Sequence, residues 1–310
     1  MSRRHRNTSA ATRANPIFNN IALQDIGNNS SYNALNVTLR RALSQGVQFD
    51  FNYTYSKSID VGSNAERINL FASGPQSVGS VGGFASQVIN SWAPKQLRAV
   101  SDFDTTHAIN ANLVYELPFG RGKSFGSGMN RLANAVVGGW TLSGVTRWSS
   151  GYPFTVGSGF GWATNFELES AAILNTAATP QTGTYIVTQP SGSTGPNVFR
   201  NPGIANTGDV TAALNAFRQS FPGESGQRNE LRGPGTFNID TGLSKSWHIT
   251  EAQAIKFTWE TFNVTNSPRF DVGTMQLSGN NSISNSTSFG NFASTLSNPR
   301  VMEFAIRFTF

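Results

Sequence analysis

Residues 47–58 read VQFDFNYTYSKS. Val47, Phe49, Phe51, Tyr53 and Tyr55 alternate with Gln48, Asp50, Asn52, Thr54 and Ser56. Successive side chains of a strand point to opposite faces, so this stretch presents one apolar, aromatic face and one polar face. Each face needs its own solvent. The polar one meets water; the apolar one meets either a protein core or lipid.

The same period recurs on both sides of this stretch. In 31–43, Leu35, Val37 and Leu39 oppose Asn36, Thr38 and Arg40. In 104–118, Ile109, Ala111, Leu113, Tyr115 and Leu117 oppose Asn110, Asn112 and Glu116, with Val114 breaking the polar side. In 139–150, Trp140, Leu142 and Trp148 face away from Thr141, Ser143 and Arg147. In 236–249, Phe237, Ile239, Leu243 and Trp247 oppose Asn238, Asp240, Ser244 and Ser246. In 254–264, Ile255, Phe257 and Trp259 oppose Lys256, Thr258 and Glu260. The last ten residues, VMEFAIRFTF, end the chain on Phe304, Ile306, Phe308 and Phe310 along one face. Seven strands result, and an even count needs one more, from residues 1–30 or from a loop.

The connections are unequal. SQG (44–46) and TEAQ (250–253) are short, while about 58–101, 151–235 and 267–300 are long and rich in Gly, Ser, Asn and Pro. Followed up and down, the long gaps fall at one end of the strands. The short turns fall at the other end, with the connection 118–138. Long loops at one end and short turns at the other mark an outer-membrane β-barrel, and strands of about 10 to 13 residues suit a tilted crossing of the hydrocarbon layer. Sandwich strands are shorter, about five or six residues, and their loops are not sorted by end. The expected fold is therefore an all-β, antiparallel, up-and-down transmembrane barrel portion of about seven or eight strands. Residues 1–29 are read as an irregular segment and residues 30–310 as the barrel part, located in the cell outer membrane.

Composition agrees. Only 13% of the 310 residues are charged, and there are 31 Gly and 23 Phe. An ordinary globular chain has about a quarter charged residues. The absence of cysteine excludes disulfides and thiolate metal sites. The net charge of +6 comes mostly from singly scattered Lys and Arg, not from one basic face, so no nucleic-acid partner is expected. No apolar run is long enough for a spanning helix, and no apolar h-region follows the basic N-terminus.

Chemistry-bearing motifs are weak throughout. GRGKS (120–124) lacks the first glycine of a phosphate loop, position 117 being Leu, and lies in a turn. His5, His107 and His248 have no ligand spacing, and no serine has a hydrolase setting around it. No catalytic residue, metal ligand or cofactor is expected, and the chain is read as a non-enzyme. Asp102 and Asp104 offer a cation two carboxylates, but their commoner role is to cap a turn. Tyr55, Trp148 and Trp247 suit an interfacial aromatic belt. Residues 209–221 suggest one short helix inside the second long loop. Phe160, Trp162 and Tyr185 sit among Gly and Ser in the same loop, but no ligand-binding residue stands out.

Four phrases carry a family resemblance: SSYNALNVTLRRALSQGVQFDFNYTYSKSID, SDFDTTHAINANLVYELPFGRGK, GGWTLSGVTRWSSGYPFTV, and ETFNVTNSPRF followed by FGNF and NPRVMEFAIRFTF. In order and spacing they resemble the C-terminal barrel region of TonB-dependent outer-membrane receptors, nearest the Oar-like group with a carboxypeptidase-regulatory-like domain. The resemblance covers nearly everything from Ser30 to Phe310. It implies a wall section of a barrel of about 22 strands closed by a plug. It also implies ligand uptake (a siderophore, a glycan or a peptide) energised by the TonB complex in a full-length form. No plug or TonB box precedes Ser30, so the expectation is the last third of such a receptor. By the same resemblance Phe304, Ile306, Phe308 and Phe310 form the signal read by the barrel-assembly machinery. The other partner is outer-membrane lipid. The alternative reading is a small self-contained barrel serving as adhesin or anchor.

Overall fold

The computed structural model describes residues 29–61, 63, 93–161, 169–175, 179–189, 192–203, 211–221 and 224–310. Seven long strands form one antiparallel sheet in sequence order: β1 (Ser31–Ser44), β2 (Val47–Asp60), β3 (His107–Glu116), β4 (Trp140–Ser149), β5 (Thr236–His248), β6 (Ala254–Phe262) and β7 (Val301–Thr309). They are the seven strands the alternation predicts. A two-residue strand, Ala99–Val100, adds to the end of β2. Residues 1–28, most of the segment read as irregular and one of the two places left for an eighth strand (the other being a loop), lie outside the described residues. Among the described residues β1 pairs only with β2, and β7 only with β6.

The register carries one apolar row after another across the sheet. Val37 faces Tyr53, Tyr53 faces Ile109, Ile109 faces Trp148, and Trp148 faces Phe237. Nearer the short turns, Leu142 faces Leu243, Leu243 faces Trp259, and Trp259 faces Phe304. The other face is polar. Asn52 pairs with Asn110 and Asn110 with Arg147, while Arg40 and Asp50 form an ion pair at 2.6 Å. A one-residue slip would exchange the two faces, so the patterning pins the register.

The β1–β2 turn is tight. Gln45 (φ 53°) and Gly46 (φ 77°) both take positive φ, as a hairpin turn matched to strand twist requires. The β5–β6 turn closes through the Ile249 amide on the Gln253 carbonyl at 2.8 Å. The β3–β4 connection holds a helix that the sequence reading missed, α1 (Arg131–Val137), whose first turn is capped by Asn130 Oδ1 accepting from the Ala133 amide at 2.8 Å. A second short helix, α2 (Val272–Leu277), lies between β6 and β7. The helix expected within 209–221 is not one. The described part, from residue 211, makes a 3-10 turn, Leu214–Ala216, and then Phe217–Arg218 pairs with Ile173–Leu174.

The main apolar core is not in the wall. Phe154, Val156, Val198, Phe199, Leu214, Phe217, Leu231, Val272, Met275, Phe289 and Phe292 form one buried cluster. Every one of them comes from the β4–β5 or β6–β7 loop. Phe289 stacks on Phe199 with ring centroids 5.1 Å apart, and Phe154 meets Phe199 edge-on at 6.1 Å. The strands instead expose Leu35, Leu39, Phe304 and Ile306. A sheet that leaves its apolar face bare and gathers its core in the loops is built for lipid on that face.

Candidate functional site

The loop end of the sheet carries a folded cap, and a buried charge network ties the cap to the wall. Ser56, Ser58 and Asp60 lie two residues apart on the polar face of β2, and all three are buried. The cap therefore closes over the polar, inward side of the wall. Arg228, from the β4–β5 loop, is only 2% exposed. Its guanidinium pairs with Asp60, and Nη1 donates to Asp102 Oδ2 at 2.9 Å. Nε donates to the Leu97 carbonyl at 3.2 Å. Asn229 Nδ2 donates to the other Asp102 oxygen at 2.6 Å, and Ser63 Oγ to Oδ2 at 3.1 Å. Four residues further on, Arg232 pairs with Asp104, which also accepts from the Ser58 amide at 2.6 Å.

Asp102 and Asp104 thus have guanidinium partners where two carboxylates could otherwise face a cation. A buried charge is tolerated only when it is paired and hydrogen-bonded, and this arrangement meets that demand. Among the described residues, no group of three or more His, Asp or Glu is placed to hold a metal ion. Elsewhere in the cap, Arg218 grips Glu224 with two bonds, at 2.9 and 3.2 Å. The Arg218 bonds, helped by the Phe221 amide, hold the Glu224 carboxyl below the ordinary glutamate range. Burial pushes the Glu230 carboxyl above it.

The aromatic residues form two belts. At the loop end, His107 lies between Tyr55 (5.3 Å between ring centroids) and Trp148 (6.4 Å), and Tyr53 Oη bonds His107 Nδ1 at 2.8 Å. At the short-turn end, Trp247 meets Trp140 at 6.3 Å, and Trp140 meets Phe257 at 6.1 Å. On β5, Phe237 and Trp247 mark the two levels, ten residues apart. At about 3.3 Å per residue and a tilt of about 40°, that is a band roughly 25 Å tall, the height of the apolar belt of a membrane barrel.

Sequence reasoning missed Lys245, which stands in the apolar row opposite Trp140 and Phe257. Its ammonium lies 5.5 Å from the Trp140 ring and 5.3 Å from the Trp247 ring, and it donates to the Gly138 carbonyl. The signal was a lysine breaking an otherwise apolar face.

On β7, Phe304, Ile306 and Phe308 share the apolar face and meet Trp259, Phe257 and Ile255 across β6. Phe310 lies just past the strand, 90% exposed. Of the loop aromatics, Tyr185 is half-buried on a hairpin (Thr182–Thr188 with Thr194–Phe199). Trp162 and the side chain of Phe160 lie outside the described residues.

Two-faced strands, two aromatic belts and sorted loops together define the wall of an outer-membrane β-barrel. No helix among the described residues is long and apolar enough to cross a membrane. The chain belongs to the outer membrane beta barrel domain family, whose model matches residues 3–303. It is accordingly a protein of the cell outer membrane. No curated protein and no solved structure matches it.

Proposed function

We propose that this chain is the wall and external cap of an outer-membrane receptor of the TonB-dependent type, taking up a siderophore, a glycan or a peptide in its full-length form. The observation that carries this reading is the pair of open edges: among the described residues, β1 and β7 each have one strand partner. A self-contained barrel would join these two strands, directly or through the one further strand that an even count needs. A wall section of a larger, plugged barrel leaves them for other strands. The cap supports the same reading, because it folds over the polar side of the wall, where a ligand enters. The assembly machinery is a partner through Phe304, Ile306, Phe308 and Phe310, and the TonB complex through segments other than these strands. No enzymatic step is assigned.

The absence of cysteine makes the edges easy to probe. Paired Val37→Cys and Ile306→Cys substitutions, oxidised in the outer membrane, are expected to give no intramolecular cross-link. Efficient cross-linking of the two edges would overturn the reading in favour of a small closed barrel acting as adhesin or anchor. Uptake is tested separately. Growth on the ligand is expected to fail equally when the gene or the TonB complex is removed, and uptake independent of that complex would exclude the transporter type.

A further inference from the structure

The β3–β4 connection, residues 117–139, lies at the short-turn end of the wall. Helix α1 within it does not hang free. Trp247 Nε1 donates to the Ala135 carbonyl at 2.7 Å, and Lys245 donates to the carbonyls of Gly138 and, at 3.4 Å, Asn134. Trp247 and Lys245 belong to the apolar, lipid-side face. Helix α1 is therefore pinned against the outside of the wall, at the level of the lower aromatic belt.

What the helix turns away from the wall is apolar. Leu132 is 82% exposed and Val136, one turn later, 68%. Beside it, Phe119 and Phe125 are both exposed, with ring centroids 5.6 Å apart. The connection holds Arg121, Lys123 and Arg131 and no acidic residue. Lys123 is paired with Glu116 at 3.1 Å, which leaves the two arginines as the excess charge. Apolar groups flanked by cations, continuous with a lipid-facing belt, match the headgroup boundary of an anionic bilayer.

We propose that α1 and the Phe119–Phe125 turn form an interfacial anchor that binds anionic phospholipid of the inner leaflet. Leu132, Val136 and the two phenylalanines enter the acyl region, and Arg121 and Arg131 take the lipid phosphates. Lys245 is the positioning residue: it holds the helix C-terminus to the wall while the two indoles cover its ammonium. The occupant is lipid because the helix lies outside the wall, at the height where the lipid-facing band ends.

The test uses the whole protein in vesicles, with a fluorophore on Leu132→Cys or Val136→Cys and a control label on Glu251→Cys in the β5–β6 turn. Quenching by nitroxide-labelled phosphatidylglycerol is compared with quenching by nitroxide-labelled phosphatidylcholine. Labels at 132 and 136 are expected to be quenched, the label at 251 much less, with phosphatidylglycerol favoured. The Arg121→Gln/Arg131→Gln variant is expected to lose that preference, by about fivefold per arginine. Labels at 132 and 136 no better quenched than the control overturn the anchor and point to water or a protein partner. Equal quenching by the two lipids overturns the anionic assignment.

Discussion

At the residue scale, the cap depends on Arg228. Removing one member of a buried ion cluster strands the others, which costs about 3–5 kcal/mol. In Arg228→Ala, Asp60 and Asp102 remain buried without their guanidinium. The β2–β3 and β4–β5 loops are expected to become sensitive to external protease while the strand wall stays intact. Cleavage no faster than in the parent would mean that the network does not hold the cap. Glu230 makes the stability of the cap depend on pH. Burial raises its folded value above its unfolded one. The folded cap therefore binds the proton more tightly, and this contribution to stability is lost as pH rises from the ordinary glutamate value through the raised one. Glu230→Gln is expected to remove that part of the pH slope, measured as the difference between the two proteins' cap-opening profiles. Neither residue was legible in the sequence as a partner of anything. Arg228 stands 126 residues from Asp102, and no local pattern joins positions so far apart.

At the element scale, legibility follows the solvent. The seven strands were readable because water on one side and lipid on the other force a period of two. Helix α1 was not. Its seven residues, RLANAVV, have a local cap in Asn130 but are too few to show a helical period, and they are held by wall residues that come from β5. The cap core was hidden for a related reason. Its side chains come in ones and twos, such as Phe154 with Val156, Val198 with Phe199, and Phe289, from distant stretches rich in Gly, Asn and Ser, and they share no common period. The β6–β7 pair also carries a local cost. Glu260 lies directly opposite Glu303 on the polar face, and two positions away from Thr258 the cations Lys256 and Arg307 also face each other. Like charges directly opposite destabilise a sheet. Glu303→Gln is expected to raise the thermal midpoint of the folded wall, with a gain of up to about 1 kcal/mol. A lowered midpoint would show that Glu303 has a stabilising partner on the inner side.

At the scale of the whole molecule, β7 is both wall and edge. Among the described residues its outer edge has no strand partner, so its backbone groups there are available to another strand, and its apolar side chains are exposed along their length. Deletion of Phe310, or Phe308→Ser, is expected to lower the amount of folded protein in the outer membrane severalfold. The readout is the band whose gel migration changes on boiling. Stability once inserted should change little for the Phe310 deletion, because Phe310 lies past the last strand position. Unchanged yield with both variants would remove the assembly role.

The cap core draws its side chains from two loops. Phe154, Val198 and Phe199 precede β5, whereas Met275, Phe289 and Phe292 lie between β6 and β7. Burying those side chains together is favourable only when both loops are in the same aqueous space. The core is therefore complete only when the β6–β7 loop has joined the β4–β5 loop. The cap is thus a clasp between two separate hairpins of the wall, fastened by the segment that leads into β7.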